Sequence, residues 1–322
     1  MGAGERAGRG RAGTHHPGRP GARGRMIGSQ YLYFAAHMAR ARLFGVKRPL
    51  LNGFKLTYRC NLKCAACPFW RQPRPDVPYD VAIAAMDRLR ADGVRLLILE
   101  GGEPFLWRDG PRRLEDLVVQ AKRRFFTVGV VTNGTLPIDT SADIVWVSMD
   151  GLRDTHNALR GDSFDRAVAH IRASRHPKIL ANITIGARNW QEIPDLVRFL
   201  SGITKGITIQ FYYPFEGTDD LMLSPEQRDW ALDQLMALKR EGFPVLNSYA
   251  TLRRLKRNTW RCQPWLISTT EPDGTITQGC YLRNRAAIHC SYCGFAAHAE
   301  ISLAYDGNIQ AIWAGKQIFG FR

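Results

Sequence analysis

The chain has 322 residues, 45% of them hydrophobic, and carries 45 Lys and Arg against 29 Asp and Glu, a formal net charge of +16. That length fits one large α/β unit with an appendage, or two domains, and the apolar share is ample for a buried core. No apolar run approaches the ~20 residues of a membrane span, no apolar stretch with a cleavage site follows the charged N-terminus, and no basic–aromatic interleaving suggests a nucleic-acid partner. Seven clustered cysteines without a secretory signal read as metal ligands in a reducing cytosol, so the expected location is cytoplasmic.

In chain order, residues 1–25 hold six Arg against one Glu among Gly, Ala and Pro. They cannot bury enough surface to offset their ordering entropy, and a disordered arm is expected. Translation starting at Met26 is the other reading of this segment. Residues 26–50 read as a basic amphipathic helix. Tyr31, Phe34, Ala35, Met38 and Arg42 share one stripe, with His37, Arg40, Lys47 and Arg48 elsewhere. Such a helix either lies on an anionic membrane surface or packs against the body of the domain.

An apolar run at 54–58 then leads into Cys60-Asn61-Leu62-Lys63-Cys64-Ala65-Ala66-Cys67. A short loop can turn three thiols spaced C-x3-C-x2-C toward one point, and three soft thiolates suit an iron–sulfur cluster or zinc. Buried cysteines without a metal are the plainer alternative. Further strand-like runs lie at 95–100, 127–132, 144–149, 179–185 and 207–213. Helical patterns separate them at 80–91, 112–124, 164–174, 191–200 and 225–241, while 136–142 is too short for a full helix. This alternation predicts a parallel sheet wrapped by helices, with about six βα units, short of the eight that close a barrel. Chemistry in such folds sits at the carboxyl ends of the strands, where Cys60 stands.

Gly101-Gly102-Glu103-Pro104 follows the second run, Asn133-Gly134 the third, and Ser148-Met149-Asp150-Gly151 the fourth; His156, Arg160-Gly161 and Ser163-Phe164-Asp165 come next. In this order, after C-x3-C-x2-C, the motifs resemble those of the radical S-adenosylmethionine (SAM) enzymes over residues 54–215. The resemblance implies a partial (β/α)6 barrel over 51–242. It implies a [4Fe–4S] cluster on Cys60, Cys64 and Cys67, with the fourth iron chelating SAM. Gly101, Gly102 and Glu103 would receive the SAM amino group, Ser148 and Arg160 would reach its ribose or carboxylate, and Asn133 would line the same mouth. Many relatives carry an aromatic residue where Ala66 stands, so Phe69 or Trp70 is expected to replace that ring. Asn182, Thr184, Gln210 and Tyr212 alternate with apolar neighbours and are candidates to face substrate or SAM.

The last eighty residues depart from the alternation. Cys262, Cys280, Cys290 and Cys293 are spaced C-x17-C-x9-C-x2-C, and Glu271-Pro272-Asp273-Gly274 is a hairpin signal, with a second turn at Asp306-Gly307. Four cysteines on small hairpins suggest a complete S4 site for zinc or a cluster. This segment resembles the twitch and SPASM extensions of the same enzymes, which implies an auxiliary-cluster domain over 243–322 holding a [4Fe–4S] cluster. The function implied is reductive cleavage of SAM to a 5′-deoxyadenosyl radical that takes hydrogen from a peptide or small molecule, with the auxiliary cluster assisting electron transfer. An external donor of the flavodoxin or ferredoxin type would supply the electron. The alternatives are a lipid or isoprenoid substrate at a membrane surface and, from another class, a non-catalytic iron–sulfur or zinc regulator.

Overall fold

A computed structural model describes residues 28–72, 75–215 and 217–321. The expected arm over 1–25, and Met26, lie outside the described residues. Six strands, β1 (Leu51–Thr57), β2 (Leu96–Gly101), β3 (Thr127–Thr132), β4 (Ile144–Ser148), β5 (Ile179–Ile185) and β6 (Ile207–Phe211), are all parallel and neighbour one another in chain order. Helices α2 (Tyr79–Asp92), α3 (Leu114–Lys122), α5 (Phe164–Ala173), α6 (Ile193–Ser201) and α7 (Pro225–Arg240) cover the outer face. Alternation along the strands explains the layering. Phe54 and Leu56 join Met86, Leu89, Leu117 and Val128 under the helices, while Gly53 and Lys55 face the interior. The sheet stays open, with an edge at β6, and is a partial barrel.

The expected hairpin after Cys262 forms as β7 (Ile267–Thr270) and β8 (Ile276–Gln278). It does not stand apart from the barrel: β7 pairs in parallel with β1, Leu51 opposite Ile267 and Phe54 opposite Thr270. Three helices the periodicity did not announce fill the C-terminal region: α8 (Tyr249–Leu255), α9 (Ala296–Tyr305) and α10 (Ile309–Phe319). The Asp306-Gly307 turn joins α9 to α10, two helices rather than two strands. Helix α10 lies across the amino-terminal end of the barrel, with Ile318 and Phe319 against Ile144, Trp146 and Leu180.

Helix α1 (Ser29–Phe44) packs on the body of the domain. The buried line is Gln30, His37 and Ala41, turned from the expected stripe by about one residue. Tyr33 donates its hydroxyl to the Gly93 carbonyl at 2.7 Å, and the Phe34 and Phe126 rings meet edge to face. A short helix between β4 and β5, α4 (Arg153–Arg160), was also unforeseen.

Candidate active site

Cys60, Cys64 and Cys67 sit half-buried on the loop that leaves β1. Neighbouring elements hold that loop. Asn61 Nδ2 donates to Thr135 Oγ1 at 2.7 Å, and Asn133 Nδ2 donates to Asn61 Oδ1 at 2.9 Å. The Ala65 N–H donates to the Leu159 carbonyl at 3.0 Å, and Trp70 Nε1 to the Cys64 carbonyl at 3.2 Å. Phe69 stacks on Tyr58 at 5.5 Å between centroids, and Phe69 and Trp70 line the same cavity as Ala66.

The glycine pair after β2 makes the approach of two backbones possible. Gly101 has φ +138°, and a Cβ there would lie 2.3 Å from the Thr57 carbonyl oxygen; a Cβ on Gly102 would lie 2.1 Å from that of Arg59. Without side chains, Gly102 and Glu103 donate their N–H groups to the carbonyls of Thr57 and Arg59 at 2.7 and 2.8 Å. Gly101-Gly102 thus laces the exit of β2 to the strand that carries the thiols. Glu103 is fully buried and is not among the cavity-lining residues. Its carboxylate accepts from Thr132 Oγ1 and the Asn133 N–H, each at 2.8 Å, and from the Phe105 N–H at 3.2 Å. Burial pushes its pKa up to about 7 against those donors. The side chain expected to meet a ligand's ammonium is taken up in this internal knot.

Asp150 organises the next loop. Its carboxylate accepts from Arg160 Nε at 2.6 Å and from the Thr184 N–H at 2.8 Å, and its own N–H donates to His156 Nδ1 at 3.3 Å. His156 Nε2 in turn meets Ser163 Oγ at 3.0 Å. The start of α5 is held instead by Asn157 Oδ1, which accepts the N–H groups of Ser163 and Phe164. Arg160 is thereby fixed beside Cys64, whose thiol lies 3.9 Å from the Arg160 carbonyl.

A cavity of about 690 Å³ fills the barrel. Cys60, Cys64, Cys67, Gly101, Gly102, Asn133, Ser148 and Arg160 line it, as do Asn182, Thr184, Gln210 and Tyr212, so every barrel residue proposed from sequence except Glu103 converges there. Three groups on its wall escaped the sequence reading. Lys55 Nζ pairs with Glu100 Oε1 at 2.9 Å, with Lys55 only 1% exposed. Burial pulls the Lys55 pKa down, and the Glu100 charge opposes that. His298 of α9 is 5% exposed, and burial pulls its pKa down to about 4. A Lys inside Phe54–Tyr58 and a Glu ending an otherwise aliphatic run were the available signals. Nothing local marked His298.

Cys262, Cys280, Cys290 and Cys293 gather outside that cavity, half-buried except for the exposed Cys290. Burial first, then Cys293, Cys280 and Cys290, push the Cys262 thiol up to about 12. Burial likewise pushes Cys60 up to about 11, with Glu103, Cys64 and Cys67 adding to it. Sulfurs crowded in this way stay protonated without a cation, and metal charge is what turns them into ligands. Three thiols on one short loop and four in the C-terminal segment are the all-sulfur donor chemistry that [4Fe–4S] clusters take, so the donor sets fit clusters. The rings of Tyr281, Phe295 and Tyr213 pack on one another and line the cavity; Tyr281 feels the charge of Cys67 and Tyr213 that of Cys280, Cys293 and Cys290, so they link the surroundings of the two sets.

Comparison with known proteins agrees with this geometry. Residues 54–200 match the sequence model described as the Radical SAM superfamily. Fe-coproporphyrin III synthase of Methanosarcina barkeri is 29% identical over 227 residues, 62% of this chain and 54% of that one. Pre-heme d1 synthase of Dinoroseobacter shibae is 34% identical over 190 residues, 53% of this chain and 45% of that one. The chain thus spans about half the length of the curated relatives it matches. Among solved structures, Streptococcus suis SuiB bound to SAM superposes with a TM-score of 0.63 at 15% identity, covering 89% of this chain and 70% of that one. SuiB has also been solved with its precursor peptide SuiA. On the motifs, the barrel and this match, residues 54–200 are a Radical SAM domain.

Proposed function

We propose that this chain is a radical SAM enzyme whose barrel holds SAM and substrate together. The observation that carries the reading is the convergence of Cys60, Cys64 and Cys67 with Gly101, Gly102, Asn133, Ser148 and Arg160 on one cavity wall, at the carboxyl ends of β1 to β4. When bound, the [4Fe–4S] cluster and SAM supply an electron and a 5′-deoxyadenosyl radical that removes a hydrogen atom from the substrate. The chain's own residues supply position. Cys60, Cys64 and Cys67 hold the cluster. Asp150 aims the Arg160 guanidinium, a donor suited to a carboxylate or ribose hydroxyls. Asn182, Thr184 and Gln210 offer hydrogen bonds further along the wall, with Gln210 Nε2 donating to Thr184 Oγ1 at 3.3 Å.

Cys262, Cys280, Cys290 and Cys293 hold an auxiliary [4Fe–4S] cluster in this reading. The aromatic rings packed near the two thiol sets would suit electron transfer to or from a substrate, and an external donor of the flavodoxin or ferredoxin type would supply the electron to the cluster that Cys60, Cys64 and Cys67 would hold. SuiB, solved with a peptide, and the two tetrapyrrole synthases support a peptide or a small molecule as substrate. The apolar half of the cavity favours a second reading, a lipid or isoprenoid.

The test is anaerobic iron and sulfide analysis, with EPR of the dithionite-reduced protein in the presence and absence of SAM. About eight irons are expected, falling to about four in the Cys60/Cys64/Cys67→Ala variant together with loss of the SAM-perturbed signal. A reconstituted protein without a SAM-sensitive signal would overturn the proposal. Zinc in the second site would leave the enzyme and remove the relay.

A further inference from the structure

The cavity is chemically two-sided. Its upper half, at the carboxyl ends of the strands, carries the thiols and the polar wall of Lys55, Glu100, Asn182, Gln210 and His298. Its lower half, at the amino ends, is walled by Leu51, Leu96, Ile98, Trp146, Ile267 and Ile318. That half continues to Tyr31, Ala35 and Met38 of α1 and to Ile312 and Gly315 of α10. Tyr31 and Ile312 both line the cavity and are 38% and 46% exposed, so the barrel opens to the surface between these two helices. Phe34 of α1 lies 4.7 Å from Phe321, just past α10, and Arg42 of α1 sits over the Tyr305 ring, which ties α1 to this end of the molecule.

The surface around the opening is apolar and cationic. On α10, Ile309, Ile312, Trp313 and Lys316 follow one another at i, i+3, i+4 and i+7, so they share a face. Ile309 and Trp313 are 81% and 56% exposed, and the Lys316 ammonium stands 5.0 Å above the Trp313 ring. On α1, Leu32, Leu43 and Phe44 are also open to solvent. Residues 28–50 hold Arg40, Arg42, Lys47 and Arg48 and no acid. Exposed aliphatics with a tryptophan, rimmed by Lys and Arg, match the headgroup boundary of an anionic bilayer. A peptide lying against Leu51, Leu96, Ile98, Trp146, Ile267 and Ile318 would turn most of its backbone N–H and C=O groups toward aliphatic side chains, with Thr269 the polar partner at the level of Ile98.

We propose that the α1/α10 face docks on an anionic membrane surface, and that the opening between these helices admits an amphiphile whose apolar chain lies in the lower half of the barrel. This rests on the hydrogen-abstraction reading and names its substrate class. The functional group of the amphiphile then lies at the polar upper half, beside the thiols and the Lys55–Glu100 pair.

The experiment uses the full chain with its iron content verified. Flotation is measured with phosphatidylcholine vesicles and with vesicles containing 30% phosphatidylglycerol. The expected result is at least tenfold stronger binding to the anionic vesicles, weakening in 0.5 M salt. The Ile309→Ser/Ile312→Ser/Trp313→Ser variant is expected to lose that binding tenfold or more while keeping its iron and SAM-perturbed EPR signal; Val119→Ser, an exposed site on α3, is expected to bind as wild type does. The port is probed separately with cis-parinaric acid. A Cβ on Gly315 meets nothing closer than 3.8 Å, so Gly315→Phe can be built there to narrow the opening. It is expected to cut parinarate uptake at least tenfold and leave vesicle binding intact. Absence of anionic-vesicle binding, an unaffected triple variant, or unchanged uptake by Gly315→Phe would each overturn the proposal, as would a peptide that stimulates 5′-deoxyadenosine formation where amphiphiles do not. None of the binding readouts needs SAM turnover, so failure of SAM cleavage would sink the enzymatic reading alone.

Discussion

The first cysteine set and the second are anchored by different kinds of contact. Cys60, Cys64 and Cys67 ride on a loop fixed by backbone bonds between strands and by the short amides of Asn61 and Asn133. Cys290 and Cys293 hang from side chains that arrive from elsewhere. Asn258 Nδ2 donates to the carbonyls of Cys290 and Ser291 at 3.1 and 2.7 Å, and Arg228 of α7 donates to the Cys293 carbonyl at 2.7 Å and to Asn258 Oδ1 at 2.9 Å. The first site is therefore tied to the sheet on several sides, while at the second Arg228 and Asn258 supplement the bond from the Phe211 N–H of β6 to the Gly294 carbonyl.

The largest test of that contrast is removal of a ligand. Cys64→Ala is expected to abolish SAM cleavage, at least a thousandfold by 5′-deoxyadenosine formation, because an interaction needed in the reacting state is gone. Iron at the second set should persist; its loss would mean that the two sites assemble as one unit. Next in size is Gly102→Ala. With its Cβ 2.1 Å from a carbonyl oxygen, the substitution forces β2 and the thiol loop apart and should cost about 3 kcal/mol or more in denaturant unfolding, with iron lost from the first site only. A variant as stable as wild type would refute the lacing role of the glycine.

Arg228→Met reads the other side of the comparison. The guanidinium is largely buried, with its pKa pushed down to about 10 by burial, and it lies 4.7 Å from the centre of the Phe211 ring. Its loss frees the Cys293 carbonyl and Asn258, at a cost of about 1–3 kcal/mol. Iron should fall toward half with the SAM-perturbed signal retained. Equal loss at both sites would erase the distinction.

The smallest expected effect is in pH dependence. His298 is held neutral, its pKa pulled down to about 4 by burial. Its unfolded form binds a proton below about 6.5, so it adds stability above that pH that is lost as pH falls from about 6.5 to about 4. Glu103, pushed up to about 7, works in the opposite sense: its contribution falls as pH rises from about 4.5 to about 7. His156, pulled down to about 4 by burial, adds to the first slope and Glu300, pushed up to about 6 by burial, adds to the second, so the two senses partly cancel in the wild type. His298→Gln should tilt the balance toward the carboxylates, so that stability declines more steeply with pH across this window; an unchanged profile would show that His298 is not buried in solution.

The same contrast explains what could be read from the residues alone. Strands β1 to β6 alternate with helices of one apolar face, and the thiols and glycines stand at strand ends, so barrel and mouth followed from pattern. Helix α4 has little beyond Ala158 and Leu159 to mark a face and is fixed by the burial of His156 between the Asp150 N–H and Ser163 Oγ, on the segments that flank the helix. Helix α9 buries Ala296, His298, Ala299, Glu300, Ser302 and Leu303, which point around most of its circumference, so no stripe separates core from solvent. Lys55 and Glu100 read as ordinary members of their strands, because charge pairing between neighbouring strands depends on register. Glu103 kept its place in the motif but turned inward, a choice set by the donors of β3's exit.

Strand β1 has a late neighbour. Asn52 bonds Ser268 across 216 residues of chain, so during synthesis β2 arrives early while β7 emerges only near the end. Until then β1 is a bare edge, with hydrogen-bonding groups available to other chains. A nascent protein of this kind carries its cluster loop on a strand whose edge stays open late, and chains cut short before Ile267 would leave that edge open.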